Sequence, residues 1–253
     1  MNAAAIAYYS IPWTLAEYIK HLCLAISRTF IPAFSELDSA GDSNAIYSYY
    51  MSGTRLVMVL SNLLCVGVIV YGDAFIHIWI GERYAIEAKS ILFPIFLVLY
   101  FYTPQLIGLS LLQGTSRHQR YSVWNVWVSC ISLLFSIILI QKYGLFGVAL
   151  GTAIPQVIYF GVIIPIYVCR LSNWSVVKYF LNTHVSLIIP SFLLYVILVL
   201  FKQNYYPHSY FLLISQAVFA AIIYMLTVYV FMLNSNEKIV IGRVLKVFSR
   251  KRT

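Results

Sequence analysis

Four ionisable side chains, Glu17, Lys20, His21 and Arg28, interrupt the otherwise apolar stretch Trp13 to Arg28. In a helix advancing about 100° per residue, with Glu17 as origin, His21 falls near 40°, Arg28 near 20°, Leu24 near 340° and Lys20 near 300°. Leu15, Ile19, Leu22 and Ile26 gather on the opposite side. An ionised side chain at the middle of a membrane helix costs about 2.5–3.5 kcal/mol on insertion scales, so such residues face a cavity and pair with one another. Glu17 can pair with Lys20 three residues on and with His21 four residues on. The spacing therefore predicts a cavity-lining helix with an internal ion pair. The alternative it leaves open is an amphipathic helix lying flat among the headgroups.

The surrounding composition decides the solvent. Of 253 residues, 61% are hydrophobic and 10% charged, where a soluble domain has about 25% charged. Mean hydropathy is +0.83. This is the composition of an integral membrane protein, and its 21 tyrosines fit helices with aromatic interfacial belts. The net charge of +9 sits in short loops and the tail, which argues against a nucleic-acid partner. Cys23, Cys65, Cys130 and Cys169 lie in or beside apolar runs without a Cys-x-x-Cys, so buried free thiols are expected, with neither a metal site nor a disulfide framework. No Ser-His-Asp arrangement, phosphate loop or nucleotide fingerprint is spelled, and Glu17 alone of the acidic residues is placed in a span. These features predict no enzyme and no cofactor.

Seven apolar segments approach the 17–25 residues a spanning helix needs. They are 4–30, 56–70, 90–112, 122–140, 145–168, 185–201 and 210–233. The all-α expectation is thus a membrane helical bundle of about seven transmembrane helices. Pro12 should kink the first or mark its start. Residues 35–53 read as a polar, turn-rich loop with Gly41 at a cap or turn, although Tyr49 to Met51 could lengthen the second segment. Residues 72–87 read as too polar to span, an interfacial turn or short helix carrying Phe75, His77 and Trp79. His77 is read there as an interfacial side chain, since a metal needs three or four ligands. Gly144, Gly147 and Gly151 have the small-residue spacing that lets helices approach closely. Pro94, Pro104, Pro155, Pro165 and Pro190 fall inside spans, where neighbours must satisfy the freed carbonyls.

Lysine and arginine in short loops set orientation. One side carries Arg117, Arg120, Arg170, Lys178 and the tail cations Lys238, Arg243, Lys246, Arg250, Lys251 and Arg252; the other carries Arg83, Lys89, Lys142 and Lys202. The C-terminus is therefore expected in the cytoplasm, and seven spans put Met1 outside, the topology of the C-terminal portion of a longer protein. Residues 234–253 alternate apolar groups with these cations and read as a tail hugging anionic lipid.

Several stretches together resemble the polysaccharide (O-antigen repeat-unit) flippases of the multidrug/oligosaccharidyl-lipid/polysaccharide exporter superfamily. They are Phe30-Ile-Pro-Ala-Phe-Ser-Glu-Leu with Ala40-Gly-Asp, Arg55, Tyr71-Gly-Asp-Ala-Phe-Ile-His-Ile-Trp-Ile-Gly-Glu-Arg-Tyr-Ala with Ala88, and Leu112-Gln-Gly, Asn125 and Tyr143-Gly-Leu-Phe-Gly-Val-Ala-Leu-Gly-Thr. Their order and spacing over about 30–155 carry the match. The resemblance implies two six-helix lobes around a central cavity, with two further helices. On that alignment 1–168 is a partial C-terminal lobe of five helices, 169–233 the additional pair and 234–253 the cytoplasmic tail. The first lobe, and one helix more, would be a missing partner, alongside membrane lipids and other polysaccharide assembly proteins. The implied substrate is an undecaprenyl-diphosphate-linked oligosaccharide, turned outward across the bacterial cytoplasmic membrane. Charge-assisted contacts to phosphate are strong in a low dielectric, so Lys20, His21, Arg28 and Arg55 are the expected substrate contacts, with Glu17 as counter-charge or proton/ion site. A drug/cation antiporter of the same superfamily would favour a carboxylate-dominated cavity, a polysaccharide polymerase a long external loop, and a non-functional fragment neither.

Overall fold

The structure is a computed structural model and describes residues 3–231; the basic tail expected over 234–253 lies outside the described residues. Among those residues every regular element is helical: α1 (Ala3–Arg28), α2 (Phe30–Ser39), α3 (Ser43–Trp79), α4 (Glu82–Gly114), α5 (Gln119–Ile158), α6 (Ile164–Leu171), α7 (Val176–Phe180), α8 (Ser186–Asn204) and α9 (Tyr210–Phe231). Among the described residues five continuous helical stretches are long and apolar enough to cross a membrane: Ser43–Trp79, Glu82–Gly114, Gln119–Leu171, Val176–Asn204 and Tyr210–Phe231; α1, expected as the first span over 4–30, is a helix but not one of the five. The chain is an all-α membrane helical bundle. With no water in the bilayer core, helices are the element that satisfies every backbone group within one segment.

The stretch Gln119–Leu171 contains its own reversal. Gly144 adopts φ 57° and ψ −137°, a left-handed conformation glycine enters without a side-chain penalty. The return arm then lies against the outgoing one. A Cβ on Gly147 would meet the Leu139 carbonyl oxygen at 2.2 Å, and one on Gly151 would meet the Ser136 nitrogen at 2.4 Å. Ser136 Oγ donates to the Val148 carbonyl at 3.2 Å and sits 3.2 Å from Thr152 Oγ1. The glycine spacing thus works within one hairpin, between segments four and five of the sequence.

Two loop expectations are corrected. Residues 35–53 are mostly helix, because α2 runs to Ser39 and α3 begins at Ser43, leaving a turn at 40–42 with Gly41 at φ 70°. Asp42 caps the new helix by accepting from the Ala45 amide at 2.9 Å, so the polar residues here are a helix start at the bundle's end. Residues 72–79 likewise continue α3, and the break narrows to Ile80 and Gly81, the latter at φ 121°. Pro12 neither starts nor interrupts α1. The other prolines leave a clearer mark. The π-helical turns Tyr159–Ile163 and Leu181–Val185 sit just before Pro165 and Pro190, where the hydrogen-bond ladder loses a donor. Cys130 is exposed, whereas Cys23, Cys65 and Cys169 are buried as expected.

The largest core joins α1, α3 and α4 to the return arm, through residues such as Ile19, Tyr50, Phe96, Leu106 and Phe160. A second joins α3 to the α8–α9 pair through Met58, Leu187, Leu194, Ala220 and Tyr224. The two ends of the bundle differ. Asp38, Arg117 and Ser172 share one end, where Arg120 and Arg170 also meet. Lys202 pairs with Asp73 at the other. Burial, and after it the charges of Asp73 and Glu82, raise the Tyr206 pKa at that second end.

Candidate functional site

α1 buries a stripe of mainly small side chains: Pro12, Ala16, Ile19, Cys23 and Ser27, continuing from Tyr8. Their successive steps of three and four residues make one helical face. The face packs on α4, where Ser110 Oγ donates to the Ser27 carbonyl at 2.8 Å. Small side chains let the helices come close, so the buried side of α1 is rotated from the expected Leu15–Ile19–Leu22–Ile26 side. Ile19 is shared by both, and Leu22 is exposed.

This rotation splits the charged stripe. Lys20 lies beside the buried face and Glu17 next to it, while His21 and Arg28 turn away. Lys20 Nζ donates to both Glu17 oxygens, at 2.9 and 3.1 Å. His21 Nε2 lies 3.5 Å from the second oxygen, with its ring largely exposed. Lys20 Nζ also sits 5.8 Å above the Tyr102 ring of α4, in cation–π range. Arg28 is exposed and has no ion pair or side-chain hydrogen bond among the described residues. Arg55 is on α3, and its Nε donates to the Asn182 carbonyl at 2.9 Å, towards the start of α8. The structure therefore brings Glu17, Lys20 and His21 together and leaves Arg28 and Arg55 apart from them.

Glu17 and Lys20 border a cavity of about 220 Å³ between α1, α4 and the α5 hairpin. Tyr9 and Trp13 stack at 6.2 Å along its α1 wall. The facing wall comes from the hairpin: Asn125 and Ser129 on the outgoing arm, Thr152 and Gln156 on the return arm. Each pair is four residues apart, so both point the same way from their helices. The Asn125 and Gln156 amides have no hydrogen-bond partner among the described residues, leaving donors and acceptors free for a guest. One wall thus offers a carboxylate, an ammonium and aromatic faces; the other offers neutral amides and hydroxyls. The arrangement can hold a polar, uncharged or mildly anionic group inside an apolar bundle.

Sequence reasoning found the charged wall and missed the neutral one, apart from Asn125 as part of a resemblance. Its signal was available as Asn125 with Ser129 and Thr152 with Gln156, polar pairs at four-residue spacing in largely apolar arms. His77 is half-buried near the end of α3, and its Nδ1 has no partner among the described residues. Among those residues no group of three His, Cys, Asp or Glu side chains is placed to share a metal.

Over an aligned stretch of 164 residues the chain is 24% identical to a "Putative O-antigen transporter" of Shigella flexneri. The match covers 62% of this chain and 37% of that protein, so the chain spans well under half the length of the curated relative it matches. No family model matches the chain, and no solved structure matches it. At this level the likeness supports a polysaccharide-transporter type of multi-pass membrane protein.

Proposed function

We propose that this chain forms part of a transporter that moves lipid-linked oligosaccharide repeat units across a bacterial cytoplasmic membrane. The observation that carries the reading is the Glu17–Lys20 pair on α1, open on a cavity whose far wall is neutral and hydrogen-bonding. Charge held inside an apolar bundle at an insertion cost marks a substrate or ion path. The name of the Shigella flexneri relative points to the same substrate class. On this reading Lys20 meets the diphosphate and Glu17 serves as its counter-charge, exchanging partner when the substrate arrives. Asn125, Ser129, Thr152 and Gln156 meet sugar hydroxyls, and Trp13 and Tyr9 offer faces to the C–H side of a pyranose. His21, Arg28 and Arg55 then act at the margins of the path. A drug or cation antiporter needs a carboxylate free to bind a cation, and here Lys20 already occupies Glu17.

Counting Gln119–Leu171 as two crossings and adding α1 gives seven. The Arg117/Arg120/Arg170 end would face the cytoplasm, where basic loops stay. A complementary lobe would close the cavity from outside. The reading is a transporter and not an enzyme.

The test is surface-glycan display in a strain lacking its own repeat-unit transporter, supplied with this chain alone or with a complementary lobe. Display should return with the wild type, and Lys20→Ala should abolish it at unchanged membrane abundance. Export per molecule equal in wild type and Lys20→Ala, or no display under either condition, would overturn the reading.

A further inference from the structure

At the basic end of the bundle the start of α5 and the last turns before Leu171 enclose an open pocket of about 460 Å³. Arg120 and Arg170 stand at it, both exposed and neither with an ion pair or side-chain hydrogen bond among the described residues. Trp124 and Tyr167 pack edge to face at 4.9 Å beside them. Towards the bundle's middle the lining turns apolar with Val162, Ile163 and Ile166, of which the first two are exposed.

From the end inward, the order is two guanidinium groups, an amphipathic aromatic pair, then branched aliphatic side chains. That is the order of a phospholipid, with its phosphate, its glycerol level and its acyl chains. Guanidinium groups bind phosphate oxygens bidentately. Trp and Tyr settle at the headgroup level, and basic pockets between helices on the cytoplasmic side take anionic lipids.

We infer that the pocket between α5 and α6 is a site for one anionic phospholipid, with Arg120 and Arg170 holding the phosphate. This is independent of the cavity bordered by Glu17 and of any transport reading. It differs from diffuse attraction, which any exposed cation at the same end, such as Lys178, would supply equally.

The experiment is native mass spectrometry on the purified full chain, titrated with phosphatidylglycerol and phosphatidylcholine of identical acyl chains. The wild type should bind phosphatidylglycerol about tenfold more tightly. Losing either guanidinium should reduce that preference about fivefold, and Arg120→Gln with Arg170→Gln should remove it. Arg120→Lys with Arg170→Lys should keep part of it, since the charge stays and the bidentate fork goes. Lys178→Gln should change nothing. Both arginines are exposed, so all variants should elute as the wild type does. The site is wrong if the double glutamine variant keeps the preference, or if Lys178→Gln loses as much. It is also wrong if sodium phosphate displaces the lipid as well as soluble phosphatidylglycerol does, which would mean that the acyl chains make no contact. Farnesyl diphosphate displacing phosphatidylglycerol at equal concentration would assign the arginines to a prenyl diphosphate and overturn the phospholipid assignment.

Discussion

Two ion pairs lie on opposite flanks of this bundle. Lys20 and Glu17 remain about a third and a quarter exposed, at 33% and 27%, and border a cavity. Lys202 and Asp73 are closed to 21% and 15%, and Lys202 also donates to the Val70 carbonyl at 2.6 Å. The neighbours repeat the contrast. Around Lys202, Tyr71 donates to Gln216 at 2.7 Å and Gln216 to the Tyr205 carbonyl at 2.8 Å. Deeper on the same flank Asn62 donates to Ser191 at 2.7 Å and to Tyr224 at 3.1 Å, and Tyr224 donates to the Val59 carbonyl at 3.2 Å. Every polar group named there is used between helices. Across the bundle, the Asn125 and Gln156 amides are not. Lipid tails are as apolar as leucine, so burying apolar surface does little to fasten helices together in a membrane, and polar contacts do more of it. The α8–α9 flank uses its polar residues to hold helices; among the described residues the α1 flank leaves the Asn125 and Gln156 amides available.

Substitutions should separate the two uses. The largest effect is expected within the α5 hairpin, at Gly151→Leu. The added side chain must enter Ser136 backbone, which cannot yield, so the hairpin should open at about 3 kcal/mol or more. Cysteine pairs across the two arms should then fail to crosslink. Next comes Lys202→Ala, which strands Asp73 in a closed setting and should cost about 3 kcal/mol. Thermal unfolding in detergent measures it, and adding Asp73→Asn should recover much of the loss. Asn62→Ala should cost about 1 kcal/mol and speed proteolysis between α8 and α9. The smallest stability change belongs to Glu17→Gln, below about 1 kcal/mol, because its pair is partly solvated. A large destabilisation by Glu17→Gln would make the α1 pair another fastener and erase the contrast.

Much of this was legible in the sequence for a simple reason. Apolar runs of spanning length announce membrane helices whatever their partners, so the segments beginning at Val185 and Tyr210 were found within a few residues of helices in the fold, and the one beginning at Ser90 lies inside α4, which starts eight residues earlier. The break between the segments 122–140 and 145–168 matches the reversal at Gly144, although that glycine was read only as part of a packing stripe. Helix ends were harder, because Glu36, Asp38 and Asn44 read as loop when they are helix at a watery end, with Asp42 capping the second of the two helices. The Asn62–Ser191–Tyr224 and Lys202–Asp73 contacts were invisible, since single polar residues in apolar runs carry no period and their partners lie more than 120 positions away. The charged wall of the cavity was legible from helical angles. Which side of α1 meets α4 was not, because it depends on how closely Ala16, Cys23 and Ser27 let α4 approach.

The contrast is tested most directly by measuring binding and stability together on the purified chain. Farnesyl-diphosphate-linked N-acetylglucosamine is the probe, with Lys20→Ala and Asn62→Ala compared against the wild type. If the α1 flank is the substrate site, Lys20→Ala weakens binding about tenfold or more, as the loss of a charge-assisted phosphate contact should, with an unchanged melting temperature. Asn62→Ala then lowers the melting temperature and leaves affinity alone. Wild-type affinity in Lys20→Ala, or a loss of affinity in Asn62→Ala as large as that in Lys20→Ala, would contradict the account.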